Sequence, residues 1–251
     1  MEPLKPAHSE SEPSEGMRLN KYIAHCGIAS RRGAADIIKS GKVKVDGKLV
    51  VDIGYRVLEG QVVTLNDKKV APEVNKVYVL INKPKGYITT VKDERGRKTV
   101  MDILGGKVSE RIYPVGRLDR NTSGLLLMTN DGDLAKKLSH PSHEVKKIYR
   151  VFLDKDVDPT DLEKLKTGIT LEDGKTAVDT ANYIDGVAHN EVGVELHSGK
   201  NRIIRRLFEH LGYDVKRLDR VYYAGLTKKN LSRGWFRHLT KREVIMLKHF
   251  S

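Results

Sequence analysis

The 251-residue chain is almost without cysteine. Cys26 stands alone, so no intrachain disulfide can form, and a His/Cys zinc site lacks its thiols. Long apolar runs are also missing. Val77 to Ile81 and Leu125 to Met128 have strand length, far short of the ~20 residues that span a bilayer. Met1 to Gly16 carries acid, Pro and Ser, without the basic start or apolar stretch of a signal peptide. No internal repeat is present. These absences lead us to expect a reducing, cytoplasmic setting.

Positive charge is abundant. Lys and Arg number 46 against 33 Asp and Glu, a formal net charge of +13 with a pI of about 9.6. A surplus of this size repels itself in a compact state and calls for a polyanionic partner. Nucleic acid comes first. An anionic membrane surface comes second, but the chain lacks a strongly basic amphipathic helix with aromatic anchors. The apolar fraction, 39%, supports an ordinary core, in one large domain or two unequal ones.

Residues 1–16 hold little that can pack, and a disordered tail is expected there. Over 17–75 a small domain is expected. Leu19, Tyr22, Ile23 and Cys26 recur at helical spacing, and Gly27 can end that helix. Ser30 is a candidate N-cap for a helix over Arg31 to Lys39, with Gly41 beyond it. Val43 to Val51 reads as a hairpin turning at Asp46-Gly47. Val62 to Leu65 reads as a strand and Val70 to Asn75 as a linker. From 76 to 251 strands are expected at Val77 to Ile81, Leu125 to Thr129, Tyr149 to Leu153 and Glu191 to Leu196. Helices are expected at Asp133 to Leu138, Leu162 to Lys166 and Asn201 to Leu211, and Asn82 to Gly86 reads as a loop. The interleaving has no regular βαβ rhythm, which predicts an α+β fold.

Two basic regions are candidate phosphate contacts. In the small domain Arg18 and Lys21 lie at i and i+3, Arg31 and Arg32 open the second helix, and Lys39 and Lys42 follow. A helix start beside two arginines favours phosphate. In the larger region the loop Gly116-Arg117-Leu118-Asp119-Arg120-Asn121-Thr122-Ser123-Gly124 runs into an apolar strand. A carboxylate there is held by a rigid scaffold yet open to substrate, with Arg117 and Arg120 beside it. The alternative is a turn aspartate bonding its own backbone. His140 and His143 flank Pro141-Ser142. Proline favours a turn, and with no third ligand in view we expect no metal site. Trp235 and Phe236, near Arg233 and Arg237, either face RNA or cover the core, and core is the expectation.

Met17 to Ala24, Gly27 to Asp36 and Gly41 to Gly47 together resemble the small RNA-binding domain first described in ribosomal protein S-four, over residues 17–75. Gly116 to Leu127 resembles the catalytic motif of pseudouridine synthases of the RsuA/RluB type. Asn82 to Gly86, Lys146 to Val151, Gly199 to Arg206 and Leu218 to Leu226 resemble further motifs of that family, in order. The resemblance covers about residues 17–250. It implies a mixed, mainly antiparallel sheet flanked by helices over 76–251, and isomerisation of a ribosomal RNA uridine to pseudouridine. It implies neither metal nor organic cofactor, and a monomer acting on ribosomal RNA or a pre-ribosomal particle. Large-subunit RNA is the first choice from the motif spellings, with small-subunit RNA open and a non-catalytic RNA-binding ribosome-assembly factor as the alternative; the presence of both Asp119 and Arg205 argues against the latter.

By this resemblance Asp119 is the catalytic carboxylate. It either attacks the anomeric carbon or takes the ribose 2′ proton as a base. Arg205 is expected to pair with it. On a helix over Asn201 to Leu211, Ile203, Ile204, Leu207, Phe208 and Leu211 form an apolar stripe, and Arg202, Arg205 and Arg206 fall opposite. Ile203 stands where the family often has Gln or Glu. Tyr149 is expected to stack on the target uracil, and Arg117 to help fill the space it vacates. Lys83, Lys85, Arg117, Arg120, Lys146, Arg202 and Arg206 are expected to hold RNA.

Overall fold

The computed structural model describes residues 16–249. The tail expected over 1–16 lies outside them, Gly16 apart. The chain divides into two compact units between Asn75 and Lys76.

The first unit packs two helices on a small sheet. Leu19–His25 and Arg31–Lys39 bury Leu19, Ile23, Ala34 and Ile38 against Val43, Val45, Val57 and Val63. Gly27 leaves the first helix at φ +76°, and the Ser30 hydroxyl accepts from the Gly33 amide at 3.1 Å. Val43–Val45 turns through Asp46 and Gly47, both at positive φ, into Lys48–Leu49, as a two-residue Asp-Gly hairpin requires. One hairpin was not foreseen. Val63–Leu65 returns as Lys68–Val70 through Asn66 and Asp67, again both at positive φ. Short polar side chains tolerate that conformation, so the strand reaches into the expected linker.

The second unit is built on a nine-stranded sheet. Its main path runs Thr180–Tyr183, Glu191–Leu196, Lys147–Leu153, Val215–Tyr223, Thr122–Thr129, Tyr78–Lys83, Phe236–His238. The pairings are antiparallel except that of Thr122–Thr129 with Val215–Tyr223. The α+β expectation is met.

Period-two alternation explains the apolar runs. Tyr78, Leu80, Leu125 and Leu127 face a core closed by Leu134 and Leu138 of helix Gly132–Ser139 and by Leu247 of helix Lys241–Lys248. Val79, Ile81, Leu126 and Met128 face the opposite core, closed by Val100 and Leu104 of helix Val100–Leu104. This half of the sheet is buried on both faces, so its strands read as continuous hydrophobic runs. The other half packs one face on helices Pro159–Thr167 and Ile203–His210.

Several boundaries differ from expectation. Asn82 and Lys83, expected in a loop, complete strand Tyr78–Lys83, which stops where Pro84 offers no N–H. Helix Val100–Leu104 was not foreseen, although Thr99 and Asp102 form a capping box. The helix expected from Asn201 begins at Ile203, because Arg202 takes the left-handed conformation at φ +48°. Among the described residues no helix is long and apolar enough to cross a membrane.

Gly124 is a fixed point of the sheet. At φ +116°, a Cβ there would stand 2.3 Å from the Arg220 carbonyl oxygen. Only glycine lets the parallel strands close at this place, directly after the Asp119 loop.

Candidate active site

The Asp119 loop is held by its backbone. Thr89 Oγ1 donates to the Leu118 carbonyl at 2.7 Å. The Thr122 amide donates to the Asp119 carbonyl at 3.0 Å, and the Gly86 amide to the Arg120 carbonyl at 2.8 Å. Arg205 Nη2 donates to the Asn121 carbonyl at 3.4 Å. Lys83 Nζ donates to the Thr122 carbonyl at 2.8 Å and to Pro84 at 3.1 Å, and reaches Arg120 at 3.5 Å. Each carbonyl from Leu118 to Thr122 thus has a donor. The Asp119 carboxylate itself is left 38% exposed, fixed in position and open to a cleft.

That cleft encloses about 280 Å³, near the lower end of small-ligand pockets, ~300–1,000 Å³. Thr122, Lys147, Tyr149, Leu218, Arg220 and Tyr223 come from its three central strands. Loop Val115 to Asp119, the turn Leu138 to His140 and the stretch Leu196 to Ile204 form the rest. Asp119 is the one carboxylate among the lining side chains. Five cations also line the cleft: Arg117, Lys147, Lys200, Arg202 and Arg220. The imbalance suits a phosphodiester.

The structure gives the two arginines different contacts. Among the described residues the cation within 4 Å of Asp119 is Arg202, whose Nη1 lies 3.8 Å from Oδ2. Arg205, expected to make that pair from a polar helix face, is only 8% exposed. Its guanidinium holds the carbonyls of Val215, at 2.8 Å, and Asn121. Burial, then the charge of Arg202, lowers its pKa against the opposing pull of Asp119. Arg205 therefore braces the loop. Helical spacing did not show this, because Val215 and Asn121 cover the polar side of the helix at Arg205.

Lys83 is corrected as well. It is fully buried on loop carbonyls, with no surface left for phosphate. Burial lowers its pKa to about 8, Asp119 works against the shift and Arg233 adds to it. Other expected RNA contacts are exposed, namely Lys85, Arg117 and Arg120. Lys146 is tied to Glu195 at 2.6 Å and Arg206 to Asp173 at 2.9 Å, so phosphate must compete for them. In the first unit Arg18, Arg31, Arg32, Lys39 and Lys42 are exposed and Lys21 half-buried.

Tyr149 lines the cleft opposite Arg220 in the strand register. Lys147 and Arg220 were not foreseen as site residues. Lys147 is two residues from Tyr149 on one strand, so alternation places both on one face. Its ammonium donates to the carbonyls of Val145 and His197. Burial, and then Arg220, lowers its pKa to about 8. Arg220 is 3% exposed, donates through Nε to the Leu125 carbonyl at 2.8 Å and lies over the Tyr223 ring.

The pattern of the RNA pseudouridylate synthase family matches residues 77–210, and that of the S4 domain matches residues 17–63. A ribosomal large subunit pseudouridine synthase B from Bacillus subtilis is 45% identical, over 92% of this chain and 95% of its own length. One of the same name from Haemophilus influenzae is 38% identical, over 96% of this chain and 69% of its own. The crystal structure of a pseudouridylate synthase superposes with a TM-score of 0.64 at 26% identity, covering 92% of this chain and all of that one. The cleft with its single carboxylate lies in a chain that belongs to the RNA pseudouridylate synthase family.

Proposed function

We propose that the chain converts a uridine of large-subunit ribosomal RNA to pseudouridine, with Asp119 as the catalytic carboxylate. The observation that carries this reading is the geometry of Asp119, an open carboxylate on a loop whose carbonyls from Leu118 to Thr122 are all held, in a cleft lined by five cations. The names of the Bacillus and Haemophilus relatives supply the large subunit.

The reaction breaks the bond between ribose C1′ and uracil N1 and forms one between C1′ and C5. N1 gains a proton and C5 releases one, with no redox change and no water consumed. Asp119 serves as nucleophile on C1′ or as base on the 2′ proton, and both need it ionised. As the C–N bond breaks, negative charge moves onto uracil. Arg220 and Lys147 on the cleft wall oppose that charge, in the manner of fixed donors at a developing anion. Tyr149 stacks on the base and offsets part of the few kcal/mol that flipping costs. Exposed cations of the first unit, Arg18, Arg31, Arg32, Lys39 and Lys42, hold phosphates of the same RNA. The setting is the cytoplasm, and the enzyme acts as a monomer.

Tritium release from large-subunit RNA carrying 5-tritiated uridine tests this. Wild-type protein releases tritium, and Asp119→Asn slows release by at least about a hundredfold. Undiminished release by Asp119→Asn removes the assignment. Release from small-subunit RNA alone removes the substrate.

A further inference from the structure

Trp235 was expected to cover the core. Its neighbour Phe236 does pack against the buried strand faces, but Trp235 is 64% exposed. Its indole presents an apolar face and a polar N–H to solvent.

The position of Trp235 is fixed. Buried Asn82 clamps residues 231–235 through four hydrogen bonds. Its amide donates to the Trp235 carbonyl at 3.0 Å, and its own carbonyl accepts from Gly234 at 2.8 Å. Its side chain donates to the Leu231 carbonyl at 2.9 Å and accepts from Arg233 at 2.8 Å. Arg233 is in turn bidentate to Asp219. The exposed ring therefore sits on ordered backbone, and binding to it loses little backbone entropy.

The place is next to the active site. Lys83 pairs with Gly124, and Phe236 with Ile81. The start of strand Phe236–His238 thus lies at the same end of the sheet as the Asp119 loop. It is two strand spacings, roughly 10 Å, from strand Thr122–Thr129. The intervening loop is bonded to both sides. Gly86 exchanges hydrogen bonds with Arg120, and Arg233 reaches the Lys83 carbonyl. On this rim Lys85 and Arg120 are exposed and have no carboxylate partner among the described residues.

We infer that Trp235 is a stacking platform for an unpaired nucleobase of the RNA strand whose uridine enters the Asp119 cleft, with Lys85 and Arg120 holding the adjoining phosphates. An exposed aromatic ring and exposed cations at one end of the sheet fit single-stranded nucleic acid, since any base offers a π-face and each phosphate a charge. This rests on the proposed RNA substrate and extends its contact along the rim.

Trp235 is the only tryptophan of the chain, so its fluorescence reports on this place alone. The full chain is titrated at low salt with a ten-nucleotide uridine oligomer and with an abasic oligomer of equal charge, while anisotropy of end-labelled oligomer follows binding. We expect saturable quenching and acrylamide protection by the uridine oligomer and neither by the abasic one. Trp235→Ala weakens the uridine oligomer by about tenfold, as loss of one stacked base does, and leaves the abasic one unchanged. Trp235→Phe restores most of the loss. No binding, binding without quenching, or equal quenching by both oligomers overturns the inference. So does a change of emission with protein concentration in the absence of RNA, accompanied by dimer formation, which assigns the ring to a second copy. Quenching together with undiminished isomerisation by Asp119→Asn keeps the platform and removes the catalytic reading. The converse pair of results does the reverse.

Discussion

Lys83 shows how much one buried side chain can organise. Its three donor hydrogens meet the carbonyls of Pro84, Arg120 and Thr122, which brackets the catalytic loop. Burial lowers its pKa from 10.5 to about 8. Between those values the folded chain holds a neutral amine while the unfolded chain keeps the proton. The stability contributed by this group therefore rises with pH over that window, and below about 8 the full cost of burying the ammonium is present. Activity runs the other way, because the neutral amine has two hydrogens for three carbonyls and adds no positive charge beside Asp119. We expect the single-turnover rate to fall as pH rises through about 8. In lysine-selective NMR, a Cε resonance titrating near 8 should disappear in Lys83→Met. A Lys83 resonance titrating at the ordinary lysine value contradicts this. Lys83→Met should also cost about 1–3 kcal/mol, through carbonyls left without a donor.

At the scale of elements, helix Ile203–His210 is joined to the catalytic loop through Arg205, while Arg202 just before it meets the carboxylate. The two arginines should respond oppositely to substitution. Arg205→Met leaves the Val215 and Asn121 carbonyls unpaired and is expected to lower unfolding free energy by about 1–3 kcal/mol in urea. Arg202→Gln removes an exposed pair and is expected to change stability by less than about 1 kcal/mol, while slowing single turnover at saturating RNA. Equal losses of stability would contradict the division of roles.

The same elements show what a sequence discloses. Ser30 as N-cap, Asp46-Gly47 as a turn and the buried strands around Leu80 and Leu126 were legible, because each depends on local chemistry or period-two burial. The Asp119 loop was legible through its motif. Lys83 was not, since its burial depends on carbonyls about forty residues away. The burial of Arg205 was not legible, because the polar side of its helix is covered by Val215 and Asn121, which helical periodicity does not report. Arg220 sits in the cleft through a parallel pairing that no local pattern announces.

For the whole molecule, most of the charge of +13 lies in the second unit, +11 over residues 76–251 against +2 over residues 1–75. The second carries the cleft and three apolar cores of its own. Removing residues 17–75 should weaken RNA binding while single turnover at saturating RNA changes little. The log–log salt slope of binding should shrink by about 0.7–0.9 for each phosphate that the shortened chain no longer neutralises. Collapse of the saturated rate on deletion would show that the first unit takes part in the chemical step.

The central claim is that Asp119 makes pseudouridine in large-subunit RNA. Its most direct test is carbodiimide-dependent reverse-transcription mapping of ribosomal RNA, from cells with the wild-type protein and cells whose only copy is Asp119→Asn. One large-subunit stop present in the first and absent from the second is the predicted result. An unchanged stop pattern, with the variant folded and present, would contradict it.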